Sequence, residues 1–281
     1  MHNSLIATLL LALLLLPAGC QAAEPALETW TEPVTGMVFL RVEPGCFQMG
    51  QGPAEAAELH ERFQPWAFDI WYRCELPRHE VCLDGYWLGR TEVTRGQWSA
   101  VMTPNMPEPA ETASLPVVFI TWVEAMDFCE RLGKLVGAGA VFRLPSEAEW
   151  ERACRAGCEA PFGCDETITA ERANYHANYV WPGGVRGETR GRLTPVGSFP
   201  PNAWGFQDMH GNAAEWCLDG YDEAAYAQHP RDNPNGPDVE ARVIRGGNFA
   251  DKPWDVRCAS RGHAVSRYVN TRLGFRVARA R

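Results

Sequence analysis

The chain has 281 residues, 46% hydrophobic and 22% charged, which is ordinary for a folded globular protein and ample for one core. A net charge of −9 argues against a nucleic-acid binder, because phosphate contacts need a basic face. With 11 Trp, 26 Gly and 21 Pro, the composition points to a loop-rich fold held by aromatic packing.

The first element is the apolar run "LIATLLLALLLLPAG". It is too short and too near the start for a comfortable membrane span, and it has the length of an export leader. Residues 1–22 are read as a signal peptide with two exits. "LPAGC" resembles a lipobox, which would make Cys20 the lipidated first residue; alternatively, cleavage falls near Ala22 or Ala23. The expected location is the periplasm, or the outer membrane as a lipoprotein. The 10 cysteines agree with export, since oxidising compartments favour disulfides. With Cys20 set aside, Cys46, Cys74, Cys82, Cys129, Cys154, Cys158, Cys164, Cys217 and Cys258 remain. That number is odd, so at least one thiol is unpaired within the chain. No CxxC spacing occurs, and no His cluster accompanies Cys154, Cys158 and Cys164, so bridges are expected rather than zinc.

Residues 23–36 read as a polar lead-in and 37–281 as one domain. "MVFLRVEPGCFQMG" predicts a strand, a Pro-Gly turn and a second strand, whereas residues 51–78 read as acidic, aromatic and irregular. "HEVCLDGYWLGRTEVT" returns to strand-like alternation. Three helix starts carry capping boxes: Thr94 with Gln97, Thr121 with Glu124, and Ser146 with Glu149. Beyond Gly157 the chain is dominated by turn residues until "TRLGFRVAR", read as a buried strand. The expected class is α+β with little regular secondary structure.

Several phrases in order, "GCFQMG", "HEVCLDGYWLGRTEVTRGQW", "FRLPSEAEWERACRAG", "TPVGSFPPNAWGFQDMHGNAAEWC", "RVIRGGNF" and "LGFRVAR", closely resemble the sulfatase-modifying-factor domain. This is the family of the formylglycine-generating enzymes, which includes a pyoverdine-maturation protein and the C-terminal domains of ergothioneine-type sulfoxide synthases. The resemblance spans Met37 to Arg279 and implies a C-type-lectin-like mixed fold. It also implies a copper site of two cysteines after the glycine turn. Here that turn is Gly246-Gly247-Asn248, and the two thiol positions read Asp251 and Val256. Copper is therefore not expected, since a carboxylate and an aliphatic side chain cannot replace two soft thiolates. The resemblance pairs Cys258 with Cys154.

The resemblance further implies calcium at "DMHGNAAEW", with carboxylate oxygens from Asp208 and Glu215 and backbone carbonyls from Gly211 and Ala213; hard oxygen donors on a tight turn suit this ion. A second family site falls on Asn178 or Asn174 but lacks its downstream Asp, for which Glu188 is a poor stand-in. For catalysis without copper, the candidates are Asp251, His263 and Cys217, in a pocket expected to gather Trp216, Asn248 and Asp255 as well. Arg245, Arg257, Arg261 and Arg276 form either an anion-binding patch or internal ion pairs; the acidic balance favours pairing. Within "CRAGCEAPFGC" a Cys158–Cys164 bridge would staple a short loop, and Cys46 with Cys82 is a further pairing to test.

These readings converge on an exported maturation or modifying factor that binds calcium and acts on a peptide-type substrate without the copper–thiolate site. The alternatives are a non-catalytic envelope binding or assembly module and, third, a true cysteine-to-formylglycine oxidase. The expected partner is a peptide or protein substrate or an envelope protein. Nucleic acid is excluded, and membrane contact would run only through a lipid anchor.

Overall fold

The computed structural model describes residues 28–137 and 139–280; the leader and Cys20 lie outside them. The chain opens with β1 (Thr29–Thr31), β2 (Val38–Val42) and β3 (Gly45–Met49), then α1 (Pro53–Arg62) and α2 (Pro65–Trp71). After β4 (His79–Leu83) and β5 (Tyr86–Gly89) come α3 (Arg95–Met102), α4 (Trp122–Val136), β6 (Phe142–Arg143) and α5 (Glu147–Arg155). A long run without helix or strand then leads to β7 (Ala214–Gly220), β8 (Ala241–Arg245), β9 (Gly262–Val265), β10 (Leu273–Gly274) and β11 (Ala278–Arg279).

Three sheets result: five strands in the order β1-β2-β5-β11-β6, four in the order β10-β7-β8-β9, and the pair β3-β4. β1 lies in the segment read as a lead-in and pairs antiparallel with β2, so that segment is part of the first sheet. "TRLGFRVAR" makes two short strands in different sheets, with buried Phe275, Arg276 and Val277 crossing between them. The segment read as irregular, 51–78, holds α1 and α2. Each starts with Pro at its first position, where no backbone donor is needed, and α1 adds an i,i+4 pair of Arg62 with Glu58. All three expected capping boxes are present. Ser146 Oγ accepts from the Glu149 N–H at 3.1 Å, and the Glu149 carboxylate accepts from the Ser146 N–H at 2.8 Å.

α5 departs from the amphipathic pattern, since all 9 of its residues are buried, charged ones included. Buried charges must be paired or they cost several kcal/mol each. Here Glu151 takes Arg155 at 2.8 Å and Arg245 at 2.6 Å, and Glu147 takes both forks of Arg261 at 2.6 and 2.9 Å. Burial pushes both carboxyls up, but the arginines outweigh it and hold them below the ordinary Glu range. Arg257 ties Glu55 of α1 (3.0 Å) to Glu75 (2.7 Å), and Arg276 binds Glu215 (2.6 Å). The four arginines singled out in the sequence are thus all internally paired.

Disulfides join Cys46 to Cys82 across β3 and β4, Cys154 of α5 to Cys258, and Cys158 to Cys164. Cys74, Cys129 and Cys217 are free and buried. Replacing Arg257 by Met strands two buried carboxylates. The expected loss is about 3–5 kcal/mol in denaturant unfolding; a loss below about 1 kcal/mol would show that the pairing does not hold α1 in place.

Candidate functional site

β8 runs into the turn Gly246-Gly247, whose φ angles of 87° and 63° favour glycine. A Cβ at Gly247 would lie 2.7 Å from Val256 Cγ1 and 3.4 Å from Asp251 Oδ2, so those two side chains flank the turn. The turn opens into a cleft of about 300 Å³. Asn248, Asp251 and Asp255 form one wall together with Trp71 and Tyr72 from the end of α2. Tyr268, Asn270 and Arg272 also line it, as do the paired Arg245 and Arg261.

The wall is hydrogen-bonded. Asp251 Oδ2 accepts from the Asn248 N–H (3.0 Å) and Nδ2 (2.5 Å), and Asp255 Oδ1 accepts from the Tyr72 hydroxyl (3.0 Å). Burial pushes the Asp251 carboxyl up, against the Asn248 hydrogen bonds and the charge of Arg272. Burial, reinforced by the Asp251 charge, pushes Asp255 up to about 6. Asp255 thus retains its proton into the range where acid–base catalysis operates, and burial shifts Asp251 in the same direction.

Asn248, Asp251 and Asp255 meet as expected, but the other predicted members stand elsewhere. Cys217 is fully buried in β7, where both strand faces are covered, and burial pushes its thiol well up. His263 faces outward on β9 and stacks on Tyr221 with ring centroids 3.9 Å apart. Trp216 lies in the core and donates its indole N–H to the Ile120 carbonyl at 3.2 Å. Of the predicted catalytic trio only Asp251 reaches the cleft. Tyr72, Tyr268, Asn270 and Arg272 were not foreseen; they sit on irregular stretches where no spacing rule singles them out.

The "DMHGNAAEW" turn is built around Asp208, a non-glycine residue at φ 57°. Asp208 Oδ2 accepts from the Gly197 N–H (2.6 Å), while its Oδ1 is buried with no partner. Glu92 Oε1 accepts from Asn212 Nδ2 (2.9 Å), and its Oε2 is buried and unpartnered. Among the described residues the carbonyls of Gly211 and Ala213 accept no hydrogen bond. Two orphaned carboxylate oxygens and two open carbonyls fit a hard cation. Glu215, expected as a ligand, has both oxygens on Arg276 and a further bond from Trp150 Nε1 (2.8 Å). Glu92 was missed; it lies in the strand-like phrase "HEVCLDGYWLGRTEVT", where no spacing rule singles it out. Asn178 and Glu188 are exposed, whereas Asn174 is buried and hydrogen-bonds Asn212 (3.1 Å).

Residues 24–281 match the sulfatase-modifying factor enzyme 1-like domain. The chain belongs to that family. It is 36% identical to the formylglycine-generating enzyme of Streptomyces coelicolor over 58% of this chain and 52% of that one. It is 37% identical to the serine/threonine-protein kinase pkn1 of Chlamydia pneumoniae over 59% of this chain and 24% of that one. The chain therefore spans about a quarter to a half of these curated relatives. Among solved structures, PvdO from Pseudomonas aeruginosa superposes with a TM-score of 0.74 at 26% identity, covering 92% of this chain and 100% of that one. The α+β fold with little regular structure and three disulfides is that of the formylglycine-generating-enzyme family.

Because Asp255 holds its proton more tightly when folded, it favours the fold below about pH 4, and that contribution is lost as pH rises through about 6. Asp255→Asn should remove this slope, a change on the order of 1–2 kcal/mol after discounting for solvent at the cleft. Chemical denaturation at pH 4, 5, 6 and 7 checks it; an unchanged slope would mean that Asp255 titrates normally.

Proposed function

We propose that this family member is an exported, calcium-binding modifying factor that acts on a peptide-type substrate by proton transfer rather than by copper oxidation. The observation that carries the reading is the pair flanking Gly247: Asp251 and Val256 occupy the positions at which the resemblance calls for two thiols. Cu(I) prefers soft thiolates, and neither a carboxylate nor a valine supplies one. The same wall offers Asp255, with its proton affinity raised to about 6, next to the Tyr72 hydroxyl.

In this reading Asp255 exchanges a proton with a substrate N–H or O–H, while Asn248 holds the Asp251 carboxylate in place. Arg272, which forms no salt bridge among the described residues, orients a polar group of the substrate within the cleft. The aromatic wall of Trp71 and Tyr72 covers apolar parts of a peptide and excludes water. Calcium would be held by Asp208 and Glu92 with the carbonyls of Gly211 and Ala213, fixing the turn that precedes β7. Export through residues 1–22, to the periplasm or to the outer membrane as a Cys20 lipoprotein, is supported by the three disulfides.

The second reading, an envelope binding module, draws on the exposed Trp66, Ile70 and Trp71 of α2, of which Trp71 also lines the cleft.

Three measurements follow. A Cys-x-Pro-x-Arg peptide incubated with the protein, Cu(I) and oxygen should give no hydrazide-reactive aldehyde; a stoichiometric aldehyde would establish the oxidase instead. Chelation by EGTA should lower the Tm by several degrees, and Asp208→Ala should abolish that response; a Tm indifferent to calcium would remove the ion from the site. Where a peptide pool from the envelope shows a mass change, Asp255→Asn should slow it roughly 100-fold or more with peptide binding retained. Binding without any mass change favours the module.

A further inference from the structure

Six arginines of the described residues are almost wholly buried: Arg152, Arg155, Arg245, Arg257, Arg261 and Arg276. Five of them are held by carboxylates at 2.6–2.8 Å. Arg152, on α5 and 7% exposed, has none. Its guanidinium donates no hydrogen bond among the described residues, and Nη1 is sealed from solvent without a partner. Burial lowers its pKa, whereas Arg245, Arg257 and Arg276 are raised by their acids. Arginine does not give up its proton in a protein, so this charge calls for a counter-anion that the chain does not provide.

Arg152 lines a cavity of about 280 Å³ that shares no residue with the cleft described above. Trp204, its ring centre 5.8 Å from the guanidinium carbon, and Gln48 stand beside it. Both acids of the lining are already neutralised: Glu80 by Arg231 (2.7 Å) and Glu159 by Arg78 (3.0 Å). Cys46 and Cys158 also line the cavity, and each is bridged, so two of the disulfides brace its walls.

We propose that Arg152 and this cavity form a second ligand site, which takes a monoanionic carboxylate, either a small free acid or the C-terminal carboxylate of a peptide. A planar guanidinium matches the two oxygens of a carboxylate. With both acids of the lining ion-paired and Arg155 held by Glu151, Arg152 leaves one uncompensated positive charge, which matches a monoanion rather than a dianion such as phosphate. The volume lies at the small end for ligand pockets and suits one or two amino-acid residues.

The test is calorimetric titration and thermal unfolding of the whole protein with N-acetylglycine, N-acetylglycinamide, acetyl-triglycine and inorganic phosphate. N-acetylglycine should bind saturably and raise the Tm, and its amide should do neither. A tighter fit of acetyl-triglycine would identify a peptide terminus as the source, and equal affinity a free acid. Arg152→Met should abolish binding and leave the ligand-free Tm unchanged or raised, because an unpaired buried charge has been removed. Gly45→Ala places a Cβ 2.5 Å from Arg152 Nη2 and should weaken binding at least tenfold, a check independent of how the Arg152 variant folds. Absence of saturable binding, binding that survives both variants, or a preference for phosphate would overturn the assignment.

Discussion

Glu147 and Glu151, one turn apart on α5, must each be neutralised in a part of the protein that water does not reach. They do this by drawing in Arg245 from the end of β8, Arg261 from just before β9, and Arg155 from their own helix. Desolvating these groups is costly, and their attraction repays that cost only where every oxygen and N–H finds a partner. The geometry of the four-stranded sheet against α5 is therefore set by charge satisfaction as much as by apolar packing. A chain with so few helices and strands has little else to fix the path of its long loops, and the three disulfides complete that task.

The candidate site depends on this arrangement. Arg245 and Arg261 line the cleft, but their charges are already taken by α5, so they shape it without binding an anion. The free chemistry is that of two carboxylates with raised proton affinity, a tyrosine, an asparagine and Arg272. A family scaffold whose relatives include formylglycine-generating enzymes carries, in this chain, Asp255 with its proton affinity raised to about 6 beside the Tyr72 hydroxyl. The glycine turn that would support two thiols here supports Asp251 and Val256.

Local chemistry was legible in the residues alone. The capping boxes could be read because both partners lie within three positions, and β2 because its apolar residues form one run. The Cys154–Cys258 bridge spans 104 residues and came only through the family resemblance. α1 and α2 were overlooked because they are short, and α1 is anchored through Glu55 by Arg257, which lies about 200 residues downstream. Cys217 and His263 looked reactive by their neighbours, yet strand geometry decided their roles. β7 is covered on both faces, and the outward face of β9 turns His263 to solvent. Glu92 and Asp208 are 116 positions apart and meet only after folding, so no motif could have joined them.

The claim that the cleft works through carboxylates rather than a metal–thiolate pair is tested most directly by titrating the folded, disulfide-intact protein with Cu(I) against bathocuproine disulfonate. The prediction is that the chelator retains all the copper, since Cys74, Cys129 and Cys217 are buried and the two thiol positions are Asp251 and Val256. One equivalent of Cu(I) held by the protein against the chelator would contradict it and return the chain to oxidative chemistry.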